Sequence, residues 1–153
     1  MAGLTRRNLF FLVVPAVLAA CGSRRDAGRA PAGSAEVNRL ISRYARLYDV
    51  PESLVHRVVR RESNYNPAAR NGPYFGLMQI LPQTARTMGH RGDPDSLLDA
   101  DTNLRYGVKY LSGAYKVAGG NPDRAVAFYA SGYYYDARRM GLLEEVGLKR
   151  GKY

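Results

Sequence analysis

The chain has 153 residues, with 23 lysines and arginines against 13 acidic residues, which gives a formal net charge of +10. This excess favours an anionic partner such as nucleic acid, anionic lipid or a polymer that carries carboxylates. The basic residues are scattered and form no stripe of the kind that marks a nucleic-acid interface. The single cysteine excludes an intrachain disulfide and a cysteine-based metal site.

Residues 1–20 are typical of a signal peptide. Arg6 and Arg7 form a charged n-region and residues 9–19 an apolar h-region. This apolar run is too short for the bilayer core, which needs roughly 20 residues. Thr5-Arg6-Arg7 also resembles a twin-arginine export signal, so the sequence leaves the export route open. Export of the chain argues against nucleic acid as the partner.

The segment Leu-Ala-Ala-Cys-Gly, residues 18–22, resembles the lipobox of bacterial lipoproteins. The resemblance implies cleavage before Cys21 and acylation of its thiol and of the new amino terminus. The alternative is an ordinary secretory peptide with an incidental cysteine. Two or three acyl chains would anchor the protein stably to a membrane. Gly22, in place of Asp, implies by family analogy the periplasmic side of the outer membrane.

Residues 21–35 form the predicted lipidated cysteine and flexible linker, since this stretch is rich in Gly, Ala, Pro and Arg without apolar periodicity. Residues 36–153, about 118 in number, suffice for one hydrophobic core. Apolar residues at helical spacing indicate the first helix, namely Val37, Leu40, Ile41, Tyr44, Leu47 and Tyr48. Pro51 opens a second helix. No stretch alternates like a strand, and the predicted fold class is therefore all-α.

Four further helices are predicted downstream, each bounded by capping or helix-breaking residues. The first covers about residues 82–88, and residues 90–100 follow as a loop. A long helix capped by Asp101 ends at Gly119-Gly120, another begins at Asn121-Pro122 and ends at Gly132, and the last covers residues 134–147.

Glu62 is the first candidate functional residue. On a helix at about 100° per residue, Leu54, Val55, Val58 and Val59 share an arc of roughly 140°, and Glu62 falls near its middle. Burial and a position in the last helical turn both raise the pKa of a carboxyl group, whereas neighbouring arginines lower it. A carboxyl that stays protonated near neutral pH suits a general acid. The alternative is that Glu62 ends the helix and faces solvent.

Three blocks of sequence carry a resemblance to a known family. Glu62-Ser63 is followed by a loop, by Gly-Leu-Met-Gln-Ile at residues 76–80 and by Pro-x-Thr-Ala at residues 82–85. Their order resembles the catalytic domain of the soluble-type lytic transglycosylases, which are goose-lysozyme-like, over about residues 37–135. The resemblance implies a single all-α, lysozyme-like (goose-type) domain at residues 36–153, behind the signal peptide and tether.

The resemblance also implies a reaction. Glu62 would protonate the glycosidic oxygen between N-acetylmuramic acid and N-acetylglucosamine in peptidoglycan glycan strands. It would then act as a base on the muramyl 6-hydroxyl, giving a 1,6-anhydro end without consuming water. No cofactor is required, and a monomer is expected. Two alternatives stay open, namely a hydrolytic muramidase and an inactive peptidoglycan-binding lipoprotein.

Substrate contacts carry over from the family position by position. Ser63 matches the Glu-Ser pair, with a polar residue at the helix C-terminus as the alternative. Gln79 matches a sugar-contacting glutamine, with an inward side chain bonded only to backbone as the alternative. Met78 is expected beneath the sugar or as core filler. Tyr129 is expected to hydrogen-bond Glu62, with an ordinary half-buried tyrosine as the alternative.

The sequence departs from the family pattern at two places. Ala130 stands where the family has Asn, and Ser131 is the candidate replacement for the lost amide. The loop before Gly76 lacks the family's serine, and Asn71 or Tyr74 is the candidate to take its place. Both departures affect the predicted substrate contacts and leave the acid unchanged.

Tyr133, Tyr134 and Tyr135 resemble a sugar-stacking platform, of which one or two members can face the groove, and Tyr133 is the candidate. A muramidase would need a second carboxylate, and the sequence leaves open whether one folds back from Asp93, Asp95, Asp99, Asp101, Asp123 or Asp136. His56 and His90 do not form an i, i+4 pair, so no metal site is expected.

Overall fold

The structure is a computed structural model that describes residues 33–148. The predicted signal peptide, the lipidation site Cys21 and all but the end of the predicted linker lie outside this range. Within it the elements are α1 (Ala35–Leu47), α2 (Glu52–Ser63), β1 (Arg70–Asn71), β2 (Tyr74–Phe75), α3 (Pro82–Thr87), a 3-10 helix (Pro94–Leu98), α4 (Ala100–Val117), α5 (Pro122–Ser131) and α6 (Tyr134–Arg139).

Helix α4 lies at the centre of the core and packs against α1, α3, α5 and the 3-10 helix. Its residues Leu104, Val108 and Leu111 are fully buried. They belong to a cluster that also contains the apolar faces of α1 and α2. The helical spacing of apolar residues therefore predicts most of the packing faces, because burial of such a face is the main source of helix stability. Leu47, which the same spacing placed on the apolar face of α1, is an exception and is 63% exposed.

A small hairpin corrects the expectation that the chain contains no strand. β1 and β2 pair antiparallel, with Arg70 opposite Phe75 and Asn71 opposite Tyr74. Each strand has two residues, which is too short for an alternating pattern to register in the sequence. The described fold remains predominantly helical.

The predicted loop at residues 90–100 contains the 3-10 helix, which is a second correction. Pro94 occupies its first turn, and the carboxylate of Asp93 accepts a hydrogen bond from the amide of Asp95. Leu97 is fully buried beside Phe75 and Ile80. The cap of α4 is also corrected to Asp99, which accepts from the amide of Thr102 at 2.8 Å.

The last helix is shorter than predicted. α6 ends at Arg139, and Gly141 then adopts a left-handed φ of 70° that a helix cannot continue through. The following turns return to α4, where Val146 packs with Ala114 and Val117. Apolar residues at this end of the chain therefore serve core packing without belonging to a helix.

In the described part of the chain, no helix combines the length and the apolarity that crossing a membrane requires.

Candidate active site

Helix α2 places Glu62 next to its carboxyl end. The Glu62 side chain is 22% exposed, whereas the neighbouring Arg61 side chain is 51% exposed. Val58 and Val59, one turn earlier, are buried in the core. Glu62 therefore lies at the edge of the apolar face, largely shielded from solvent but still accessible.

Burial raises the pKa of Glu62 above its usual value of 4.5. The Arg61 guanidinium opposes this, with its Nε 3.5 Å from the Glu62 Oε1, and lowers the pKa in part. Desolvation is the larger effect, so the pKa of Glu62 lies above its usual value. The environment predicted for Glu62 from its helical position is present.

The other carboxylates named as possible partners of Glu62 are engaged elsewhere. Asp95, Asp101, Asp123 and Asp136 form ion pairs with Arg70, Arg105, Arg57 and Arg139, respectively. Asp93 and Asp99 cap the 3-10 helix and α4. The charge that acts on Glu62 is that of Arg61, and no carboxylate perturbs its pKa. Glu62 is therefore a solitary acid among the described residues.

The fully buried side-chain amide of Asn103 holds the segment formed by residues 76–80, here termed the motif loop. The Asn103 side chain of α4 donates to the carbonyl oxygens of Phe75 at 2.8 Å and Leu97 at 2.7 Å. Its Oδ1 accepts from the backbone amide of Met78 at 2.8 Å. Asn103 thus ties the motif loop to α4 and to the 3-10 helix through three buried backbone groups.

Gly76 is required at the start of the motif loop for two reasons. Its φ is 69°, a region that residues with a Cβ rarely adopt. A Cβ there would also overlap the Asn103 amide and the Leu97 carbonyl oxygen. The backbone at Gly76 therefore lies in direct contact with Asn103 and Leu97.

Two hydroxyl groups fasten the motif loop to the neighbouring helices. Ser63 Oγ lies 2.8 Å from the carbonyl oxygen of Leu77 and 3.1 Å from that of Val59. The Tyr129 hydroxyl of α5 donates to the carbonyl oxygen of Met78 at 2.8 Å. The loop is thereby fixed to α2, α4 and α5 close to Glu62.

The predicted hydrogen bond from Tyr129 to Glu62 is wrong, since the single phenolic proton is donated to Met78. The two residues are nevertheless close enough for the Glu62 charge to contribute, after burial, to raising the pKa of Tyr129. Tyr129 is therefore a neutral neighbour of the acid whose hydroxyl positions the motif loop.

A cavity of about 280 Å³ opens beside the motif loop. Its lining includes Tyr74 from the hairpin, Gln79 from the motif loop, and Tyr129 and Ser131 from α5. Four of the predicted substrate-binding residues thus meet at one cavity, although they come from three separate segments. Its volume is near the lower end of small-ligand sites, roughly 300 Å³.

Gln79 both bonds the backbone and lines this cavity. Its side-chain amide donates to the carbonyl oxygens of Ala69 at 3.1 Å and Gly76 at 2.9 Å. Its side-chain carbonyl oxygen accepts no hydrogen bond within residues 33–148. Gln79 also has a left-handed φ of 46°, which these two bonds help to hold.

The remaining predicted contacts divide into surface and core. Asn71 is exposed in the hairpin opposite Tyr74, while Ser131 Oγ donates to the carbonyl oxygen of Ala127 at 2.9 Å. Met78 is fully buried and Tyr133 is 1% exposed. The expected sugar contact of Tyr133 is corrected, because a side chain sealed in the core has no surface to offer a sugar. Met78 matches the alternative of a core residue rather than a position beneath the sugar. The exposed member of the tyrosine run is Tyr135, at 74%.

The sequence reasoning missed two residues of this region. Asn103 falls on the same arc of α4 as Gly107, Leu111 and Ala114, all of which are buried. A polar residue on an apolar arc is the signal that singles out Glu62, and it would have found Asn103 as well. Tyr110 of α4 also lines the cavity, and nothing in its local sequence marks it out.

A larger cavity, of about 670 Å³, lies on a different face of α4. Lys109, Lys116 and Glu145 line it, and Lys116 pairs with Glu145 at 2.6 Å. Neither Glu62 nor the motif loop contributes to it. The smaller cavity is lined by Gln79 of the motif loop and by Tyr129, the neighbour of Glu62, although Glu62 itself is not part of its lining. The candidate site is therefore associated with the smaller cavity. Across residues 33–148 there is no group of three His, Cys, Asp or Glu side chains arranged for a metal ion.

The chain is similar in sequence and in structure to several known proteins. Residues 39–141 match the family model described as the transglycosylase SLT domain. The soluble lytic murein transglycosylase of Salmonella typhimurium is 36% identical over 103 residues, which cover 62% of this chain and 16% of that protein. The membrane-bound lytic murein transglycosylase E of Buchnera aphidicola is 37% identical over 83 residues, which cover 49% of this chain and 38% of that protein.

Solved structures show the same architecture. The crystal structure of the 70 kDa soluble lytic transglycosylase of Escherichia coli superposes with a TM-score of 0.60 and 31% identity, over 71% of this chain and 19% of that one. A complex of the 70-kDa soluble lytic transglycosylase with bulgecin A gives a TM-score of 0.59 and 29% identity, over 72% and 21% of the two chains. The predicted all-α, lysozyme-like fold is confirmed. The chain matches only a small part of these longer proteins.

Proposed function

The chain belongs to the transglycosylase SLT domain family, and from that premise we propose that it is a peptidoglycan lytic transglycosylase. Its substrate would be the glycan strand of the bacterial cell wall. Its product would be a strand that ends in 1,6-anhydro-N-acetylmuramic acid. Glu62 would carry the chemistry as a general acid and then as a general base.

The single observation that carries the proposal is the solitary, shielded carboxyl of Glu62. Burial raises its pKa, which keeps a proton available for the leaving glycosidic oxygen. After the carbon–oxygen bond breaks, the resulting carboxylate can accept the proton of the muramyl 6-hydroxyl as that oxygen closes onto C1. One carboxyl group thus serves both steps, and the proton count balances without water.

Among the described residues, no carboxylate acts on the pKa of Glu62, which favours this route over hydrolysis. Hydrolytic glycosidases use two carboxyl groups, roughly 5 to 10 Å apart, with the second acting as nucleophile or as base for water. In the described part of the chain, every aspartate that could have served is held in an ion pair or a cap. A nucleophile supplied by the substrate removes the need for the second group.

The cavity next to the motif loop supplies the binding surface for the sugar. Tyr74 is 42% exposed at its edge and can lie against the apolar face of a sugar ring. The side-chain carbonyl oxygen of Gln79 can accept a hydrogen bond from a sugar hydroxyl. Ser131 lies in the same lining, where its hydroxyl replaces part of the polar surface that Ala130 does not provide.

We further propose that the protein is anchored by acylated Cys21 on the periplasmic side of the outer membrane. The support is the Leu-Ala-Ala-Cys-Gly segment together with relatives that are named membrane-bound lytic murein transglycosylases. Replacing Cys21 by Ser in the full chain should move the protein from the membrane fraction to the soluble periplasmic fraction. Retention in the membrane fraction would contradict the anchor.

The proposed reaction is tested by digesting purified peptidoglycan and measuring the masses of the products by mass spectrometry. Anhydro-muropeptides, one water lighter than the reducing products of hydrolysis, are the expected result. Glu62→Gln should slow the release of these products by at least about 100-fold. The matched control is Glu52→Gln, which alters a carboxylate at the other end of α2 and should leave cleavage unchanged.

Three other outcomes would each contradict the proposal. Products with reducing ends would identify a hydrolytic muramidase. Binding to peptidoglycan without any release of soluble products would identify an inactive wall-binding protein. Cleavage by the Glu62→Gln protein at the wild-type rate would show that another group is the acid.

A further inference from the structure

Three tyrosine rings contact one another beside the cavity, and the hydroxyl of one of them differs from the other two in its hydrogen bonding. The Tyr110 ring lies 5.4 Å from the Tyr129 ring, centroid to centroid, in an edge-to-face contact. It lies 4.8 Å from the Tyr133 ring on another side. Tyr110 and Tyr129 line the cavity, whereas Tyr133 is buried beneath them.

The hydroxyl groups of the three tyrosines have different partners. Tyr129 donates to the carbonyl oxygen of Met78, and Tyr133 donates to the carbonyl oxygen of Tyr110 at 2.9 Å. The Tyr110 hydroxyl makes no hydrogen bond within residues 33–148. Two of the hydroxyls therefore hold the protein together, while the third is left to bind something else.

The Tyr110 hydroxyl also lies where a ligand could reach it. A Cβ placed on Gly132 would be 3.8 Å from its oxygen, and Gly132 lines the same cavity. Because residue 132 is glycine, no side chain covers the hydroxyl from that direction. Burial raises the pKa of Tyr110, so the group remains a protonated donor.

We propose that Tyr110 is a substrate-binding residue whose hydroxyl hydrogen-bonds a hydroxyl or N-acetyl oxygen of the sugar held in this cavity. The assignment rests on the proposed function, since it requires a glycan in the site. The ring is already fixed between Tyr129 and Tyr133, so binding costs little side-chain entropy. Gln79, with its free side-chain carbonyl oxygen, presents an acceptor in the same lining.

The test compares Tyr110→Phe with Tyr115→Phe. Tyr115 is a half-buried tyrosine of the same helix whose hydroxyl likewise makes no hydrogen bond in the described structure, but it lines other cavities. Both variants should melt at the wild-type temperature, because neither removes an internal hydrogen bond. Tyr110→Phe should raise the KM for soluble, uncross-linked glycan strands about three- to tenfold, the worth of one neutral hydrogen bond. Tyr115→Phe should leave KM unchanged.

A binding measurement keeps this inference separate from the proposed chemistry. The Glu62→Gln protein, with and without Tyr110→Phe, is titrated with the same strands, and the second substitution should weaken binding by a similar factor. Equal KM and equal affinity with and without the Tyr110 hydroxyl would overturn the assignment even if the wild type cleaves normally. A loss that is matched by a lower melting temperature would indicate a structural role and would also overturn it.

The outcome for the wild type distinguishes the two failures. If the wild-type protein bound strands without cleaving them, the proposed reaction would be contradicted, and the titration would still decide the role of Tyr110. If the wild-type protein neither bound nor cleaved strands, both the proposed reaction and the role of Tyr110 would be contradicted.

Discussion

The hydroxyl of Tyr129 donates a hydrogen bond to the carbonyl oxygen of Met78 across 2.8 Å. The bond joins α5 to the motif loop, two segments that are 51 residues apart in the chain. It places an uncharged phenol next to Glu62, and the phenolic proton is donated to the backbone. The position of the motif loop relative to the acid therefore depends on a contact between distant parts of the sequence.

Tyr129→Phe should lower the free energy of unfolding by about 1 to 2 kcal/mol, because the Met78 carbonyl oxygen loses its partner in a shielded place. Cleavage should also slow, since the motif loop is released from α5. Urea denaturation and peptidoglycan digestion measure the two effects.

Tyr133→Phe is the matched control for Tyr129→Phe. Its hydroxyl also donates to a backbone carbonyl oxygen, that of Tyr110, at 2.9 Å. A similar loss of stability is expected, but without a comparable loss of cleavage, because the Tyr133 hydroxyl bonds α4 and not the motif loop. Equal losses of cleavage in the two variants would contradict the positioning role of Tyr129.

Arg61→Gln should shift the alkaline limit of activity to higher pH. The acid must be protonated to act, so activity falls as pH rises through the pKa of Glu62. Arg61 lowers that pKa from a distance of 3.5 Å, and its removal lets burial raise the pKa further. The pH dependence of kcat/KM shows the shift. Arg60→Gln is the control, since Arg60 does not act on the pKa of Glu62, and a shift of equal size there would contradict the argument.

The sequence predicts those parts of the structure that are determined by residues close together in the chain. The apolar spacing along α1, α2 and α4 predicts which faces are buried, because each face repeats within a few residues. The environment of Glu62 was predicted in the same way. Its role and the substrate contacts that the structure does not contradict stay predictions.

The parts that escaped prediction depend on distant contacts or on very short elements. Asn103 finds its partners in Phe75 and Met78, more than 20 residues earlier, and no local pattern encodes that pairing. Tyr133 follows a glycine and precedes two tyrosines, which is typical of a surface platform, yet its ring is buried against α4. Which member of such a run faces inward is decided by packing alone.

Gly76→Ala should be more destabilising than Gly72→Ala by about 2 kcal/mol, the range for a group forced into a filled space. Both glycines have a left-handed φ, 69° and 56°, so the backbone cost is shared by the two variants. A Cβ on Gly72 meets nothing within 4 Å, whereas one on Gly76 overlaps Asn103 and Leu97. The difference between the unfolding free energies of the two variants, obtained from denaturation curves, measures the cost of the overlap at Gly76. Equal stabilities would show that the motif loop can move away from Asn103 at little cost.

Glu62→Gln should make the protein more stable at neutral pH while removing its activity. The folded-state pKa of Glu62 is raised above the unfolded value by burial, so the folded state holds the proton more tightly. Below about pH 4 the carboxyl is protonated in both states, and wild type and variant should unfold at similar urea concentrations. As pH rises through the raised pKa, the wild type must ionise a shielded group and loses stability that the neutral amide retains.

The comparison of urea midpoints at about pH 4 and about pH 7 therefore measures how strongly the fold disfavours the Glu62 carboxylate. Glu52→Gln serves as the control, since its carboxylate is exposed and accepts a hydrogen bond from Ser42 Oγ at 2.6 Å. That variant should gain no stability at neutral pH. If Glu62→Gln likewise gained none, the carboxylate would be well solvated or well paired in the folded protein. The site would then have no structural means of keeping its acid protonated.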